Sequence, residues 1–82
     1  MNELEWSQHA KEMLIERRLR EEWVVGAIAF PDRSEVHGDG STHYIKAVPE
    51  HGGRFLRVIV NRDKSPNRIV TAFFDRRLGR RT

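Results

Sequence analysis

Three histidines, His9, His37 and His43, and a group of arginines gathered after residue 53 are the side chains of this 82-residue chain best suited to chemistry. Imidazole titrates near neutrality, so each ring can give or take a proton under physiological conditions. A guanidinium carries a permanent charge on a planar fork that matches phosphate oxygens. From residue 54 onward nine basic residues stand against Asp63 and Asp75, a balance of +7, whereas residues 1–53 carry −4. Eight of the nine are arginine, which selects the phosphates of RNA or another polyanion over a simple point-charge contact. The plainer alternative is an arginine-rich tail that only solvates the chain.

Composition narrows the remaining classes. There is no cysteine, which removes disulfide stapling, thiolate metal sites and cysteine nucleophiles together and fits a reducing compartment. The acidic N-terminus lacks the layout of a secretion signal, and no apolar run approaches the ~20 residues of a membrane span, so a cytoplasmic location away from membranes is expected. No phosphate-cradling glycine loop, serine triad or helical His-Glu-x-x-His occurs. His37, Asp39 and His43 surround one turn, but without a second cluster they form a poor zinc motif, and neither metal nor cofactor is expected.

The elements that must position these residues follow from periodicity. Ser7 can cap a helix starting at Gln8, whose Ala10, Met13, Leu14 and Arg17 share one face, with His9 at its edge. A second helix is predicted from about Arg20 to Phe30, with Glu21 and Glu22 at its positive end and Pro31 as its stop. Alternation then takes over: strands are predicted over Ser34–His37, Thr42–Val48, Arg54–Asn61 and Asn67–Phe74, the first pair joined by a turn with an Asp39-Gly40 step. Leu56, Val58 and Val60 form the better core-facing set, leaving Arg57 on the opposite face, where Tyr44, Lys46 and Thr71 join it if the register permits. The expected organisation is one domain over 1–82, with a helical hairpin at 7–30, a sheet at 33–75 and a loose basic tail at 78–82.

The stretch from His9 to Leu19, the helix ending in Phe30-Pro31-Asp32, and the blocks Gly53–Val60 and Arg68–Phe73 together resemble a family of small bacterial domains. That family is domain of unknown function forty-two fifty-eight, which looks related to BrnT and RelE-like toxin ribonucleases. The resemblance implies an α+β fold of RelE/barnase type, with two N-terminal helices packed on a curved four-stranded antiparallel sheet whose other face is an RNA cleft. It matches the family's leading histidine to His9, its helix arginine to Arg17, and its strand arginine and threonine to Arg57 and Thr71. Where the family often has tyrosine, this chain has Phe73, a ring that can stack but cannot donate a proton.

Metal-independent RNA cleavage needs a base for the ribose 2′-hydroxyl, charge stabilisation at the phosphate and an acid for the leaving 5′-oxygen. His9 is the first choice for the acid–base role, ahead of His43 and His37. Arg57 and Lys46 complete the catalytic set and Arg17 is a further phosphate ligand; Arg76 and Arg77 track the strand beyond the cut, and Tyr44 or Phe73 stacks on a base. Each has a plainer role as well: His9 as a hydrogen-bonded helix residue, Arg17 as a snorkelling or ion-paired side chain, and Thr71 and Lys46 as ordinary strand residues. The expected activity is a toxin-like endoribonuclease on single-stranded RNA, restrained by an acidic antitoxin or inhibitor protein. The alternatives are a non-catalytic RNA-binding module and a purely protein-binding one; sequence leaves the oligomeric state open.

Overall fold

A computed structural model of the protein describes residues 4–78. The chain runs β1 (Leu4–Trp6), α1 (Gln8–Glu16), α2 (Glu21–Ala29), β2 (Arg33–Val36), β3 (Ser41–Val48), β4 (Arg54–Asn61) and β5 (Asn67–Phe74), with short 3-10 turns at Pro49–His51 and Arg76–Leu78. The five strands form one sheet in the order β1-β5-β4-β3-β2, antiparallel except for the parallel pair of β1 with β5. This corrects the expected four-stranded antiparallel sheet. β1 is three residues long, too short to show an alternating pattern, and it becomes a strand by lying along the edge of β5, where Trp6 stands beside Ile69.

Ser7 joins β1 to α1 and explains why the helix starts there. Its Oγ accepts from the amide of Ala10 at 3.0 Å as an N-cap and donates to the Val70 carbonyl at 3.0 Å. Val70 is the extra residue of a bulge, since Val60 pairs with Ile69 while Ile59 pairs with Thr71. α1 ends in a Schellman-type turn: the amide of Leu19 donates to the Leu14 carbonyl at 2.9 Å, and Arg18 takes a left-handed φ of 53°. α2 begins at Glu21, and its two acidic residues lie against the positive end of the helix.

Alternation along the strands gives the sheet two different faces. Leu56, Val58 and Val60 are at most 1% exposed and pack with Ala10, Val24, Ala27, Ile69 and Ala72 into the core beneath the helices. Burial of each such aliphatic side chain contributes ~1.5–3 kcal/mol, so this trio holds the helices to the sheet. Residues directly opposite in an antiparallel ladder share a face. Tyr44 is opposite Val58 and Lys46 opposite Leu56, so both belong to the helix-covered face and the register does not let them join Arg57. Lys46 donates to the Phe30 carbonyl at 2.8 Å, and Tyr44 bonds Arg62 through its hydroxyl.

The second face carries Glu35, His43, Ile45, Arg57, Phe73 and, across from Ile59, Thr71. The Arg76–Leu78 turn folds back toward one end of it, and Leu78 helps line a cavity of about 380 Å³ with Asp32, Arg33, Ile45 and Phe55. Of the expected tail at 78–82, Leu78 belongs to that turn, while the rest, with Arg80 and Arg81, lies outside the described residues.

Candidate functional site

A β-hairpin brings the site together. Its turn is fixed by Asp39, whose Oδ1 accepts from the Ser41 amide at 3.0 Å and the Ser41 hydroxyl at 2.6 Å. These bonds, the hydroxyl's first, hold the Asp39 carboxyl below its usual range. Gly40 has a φ of 87°, and a Cβ there would stand 2.1 Å from Asp63 Oδ2. With the turn set, Glu35 on β2 lies directly opposite His43 on β3, and His37 follows two residues after Glu35. The His37 and His43 rings stack at 3.8 Å between centroids, 19° from parallel.

Arg57 enters from β4, opposite Ile45. It is 7% exposed and bonded on two sides. Its Nε donates to Asp75 Oδ2 at 2.8 Å, and Nη1 reaches both Glu35 Oε1 at 3.1 Å and His43 Nδ1 at 2.9 Å. A charge this deep is stable only when paired, and two carboxylates supply the pairing. Asp75 is itself held by Arg77, whose amide donates to Oδ1 at 3.0 Å and whose Nε donates to the same oxygen at 3.2 Å. Those bonds, the Arg77 side chain's first, and the Arg57 guanidinium bring Asp75 down to a pKa of about 2.

Glu35 is the more accessible carboxylate, with its side chain 34% exposed. Oε1 takes Arg57 and lies 3.4 Å from His37 Nε2, and Oε2 accepts from Arg33 at 2.9 Å. The Arg57 bond, ahead of those to His37 and the charge of Arg33, lowers its pKa, so it is ionised at neutral pH. His43 moves down as well, through burial first and then the nearby His37 and Arg57. It is therefore neutral at pH 7, and because Nδ1 accepts from Arg57, its proton resides on Nε2.

Glu35, His37 and His43 each offer a ligand atom, all within 4.8 Å of one another, a separation from which a divalent cation could be held. The Arg57 guanidinium already donates to two of the three, so a metal would have to displace a paired cation and also share the space with it. The arrangement is better suited to acid–base work beside an anion.

A family model described as "Domain of unknown function (DUF4258)" matches residues 6–74. The chain belongs to that family. No curated protein and no solved structure matches it. The matched span of the domain contains β5 and both helices as well as the whole Glu35–His37–His43–Arg57 cluster, and it stops one residue short of Asp75.

The residues singled out from sequence are distributed unevenly around this cluster. Arg57 is at its centre. Phe73 is opposite Arg57 on the same face, and Thr71 is one position further along it. Arg17, the C-cap of α1, reaches the edge of β5, where Nη1 donates to the Ala72 carbonyl at 3.3 Å and Cζ lies 5.7 Å from the Phe73 ring centre. Arg77 reaches Asp75, with its own side chain 81% exposed, and Arg76 is exposed beside it. His9 is exposed on α1, and Lys46 and Tyr44 lie on the helix-covered face, so these three are not gathered with Arg57.

Glu35 and Asp75 were not singled out from sequence, and His37 and His43 were ranked behind His9. The signal for three of them was present. Residues 35 and 37 share a strand face by alternation, and a tight turn centred on Asp39 places 35 opposite 43. Asp75 follows the last residue of β5 and had no such signal.

Proposed function

We propose that this protein is a metal-independent endoribonuclease acting on single-stranded RNA, with its acid–base groups on the β2–β3 hairpin. The observation that carries the reading is the meeting of one guanidinium, one ionised carboxylate and two imidazoles, in which Arg57 Nη1 contacts both Glu35 and His43. Glu35 is the base: its carboxylate removes the ribose 2′-hydroxyl proton, and the 2′-oxygen attacks the adjacent phosphorus. Arg57 stabilises the charge that builds on the phosphoryl oxygens, since among the described residues its Nη2 makes no hydrogen bond. His43 keeps that guanidinium in place. His37, the more exposed imidazole, gives its proton to the departing 5′-oxygen as the phosphorus–oxygen bond breaks. The products are a 2′,3′-cyclic phosphate and a 5′-hydroxyl, and the proton on Glu35 then returns to solvent or to His37.

End-labelled single-stranded RNA incubated with the protein in EDTA is expected to yield fragments ending in cyclic phosphate. Glu35→Gln and His37→Ala should each lower kcat by about 100-fold or more, the scale of one acid–base group. A loss on His9→Ala with none on His37→Ala would return the chemistry to α1. RNA that stays intact at a molar excess of protein, while forming a salt-sensitive complex, would overturn the enzyme in favour of an RNA-binding module. The burial of Arg57 between two carboxylates is the feature that favours that second reading. Within the enzyme reading, a toxin role implies an acidic inhibitor that covers the same face; such a partner would compete with RNA for Arg77.

A further inference from the structure

Two side chains beside the cluster, Phe73 and Arg17, are not used by this chemistry. Phe73 is paired with Arg57 across β4 and β5, so the two residues are neighbours on the same face of the sheet, their backbones one strand spacing, ~4.8 Å, apart. The outer side of β5 is covered by β1 only as far as Ile69, which leaves the edge beside Phe73 without a neighbouring strand among the described residues. Arg17 occupies that edge. Its tie to the Ala72 carbonyl holds the guanidinium 5.7 Å from the ring centre, a cation–π distance but wider than a closed stack.

The other aromatic residues are arranged differently. Trp23 on α2 meets Phe74 edge-on and both pack against the core, while His51 stacks on Phe74 at 4.3 Å between centroids, so these rings face one another rather than an open site. Tyr44 is bonded to Arg62 on the helix-covered face, and Phe55 helps line the cavity closed by Leu78. Trp23 also carries a cation over its ring, Arg20 at 5.8 Å, and Phe30 is exposed, but both belong to α2 or its end, on the helix side; Phe73 is the ring with a cation beside it that shares a sheet face with Arg57.

We propose that Phe73 and Arg17 form a subsite for one unpaired nucleobase, that of the nucleotide adjoining the phosphate held at Arg57. The inference rests on the ribonuclease reading and adds to its single-stranded substrate a base subsite that accepts a nucleobase with little regard to its identity. The base lies on the phenyl ring, and the Arg17 guanidinium moves outward by rotation about its side-chain bonds to cover the other side. Stacking of this kind tolerates every base because each has a π face, while a duplex keeps its bases paired and presents none.

The test compares oligouridylate with an abasic ribose-phosphate oligomer of equal length, reading KM and kcat for the full chain and binding by fluorescence anisotropy. The unaltered protein should take the base-bearing oligomer about tenfold better in KM and in binding. Phe73→Ala should remove that preference, Arg17→Ala should reduce it, and Phe73→Trp should keep or increase it. Equal losses on both oligomers in Phe73→Ala, or a preference that survives it, would overturn the subsite. Phe73→Trp guards against a variant that only unfolds: if Phe73→Ala loses binding to both and Phe73→Trp shows no preference for the base, the subsite is also overturned. If neither oligomer is cut, the ribonuclease reading fails, while anisotropy still decides whether the base is recognised.

Discussion

Arg57 and Asp75 show at the scale of single residues how a charge becomes buried in so small a protein. Arg57 cannot lose its proton, so its environment must adapt to it, and the neighbouring carboxyl does so by staying ionised far into acid. Asp75, with its side chain 2% exposed, has a folded pKa of about 2 against an ordinary 3.8, because Arg77 and then Arg57 bond its charged form. The lowered value means stability that is fully present above about pH 4 and is lost as the pH falls from 3.8 toward 2. The contribution is about 2 kcal/mol. Urea titrations at pH 6 and pH 2.5 should show this difference in the unaltered protein, and Asp75→Asn should remove most of it while lowering stability at pH 6. Arg57 was legible in the sequence as an odd charge in an apolar strand. Its partners were less so: Asp75 is adjacent to it only through the β4–β5 pairing, which no local pattern states, and His9 drew attention by its place in α1, although that helix packs on the other side of the sheet.

Among the elements, the hairpin of β2 and β3 determines the geometry of the site and α2 determines little of it. The two helices and the four longer strands could be read from sequence because their periods differ, 3.6 residues against two, and because Pro31 and the Asp39-Gly40 step separate them. β1 was unreadable in the same terms, since its three residues gain strand geometry from β5 alone. The helix and the hairpin should also respond differently to the same small change. Gly26 lies inside α2, and a Cβ there would meet nothing within 4 Å, so Gly26→Ala should add about 1 kcal/mol of stability through helix propensity. Gly40→Ala places its methyl against Asp63 and keeps a left-handed φ, so it should cost roughly 1–2 kcal/mol and disturb the Glu35–His43 pairing. Thermal melts of both variants, with RNA turnover measured beside them, would check the contrast: turnover should fall for Gly40→Ala and hold for Gly26→Ala.

Seen as a whole molecule, the opposite charges of the two halves have an internal use that sequence alone did not reveal. Arg68 donates to Glu5 at 2.7 Å and Arg57 to Glu35 at 3.1 Å, so part of the basic second half neutralises the acidic first half. The excess positive charge left for an anionic partner is smaller than the tally along the chain implies, since Arg77 is paired with Asp75, and it includes the exposed Arg76 at the edge of the site. No helix among the described residues is long and apolar enough to cross a membrane. The sheet order gives a last consequence. Glu35 is on β2, which ends the sheet and is paired on one side only, to β3, whereas Arg57 is on β4, held between two strands. Such margins fray at temperatures where the centre is still intact. Heated slowly, the protein should cease turning over RNA several degrees before its circular dichroism signal collapses, and should regain full turnover on cooling from that interval: the guanidinium keeps its place while the carboxylate wanders away from it.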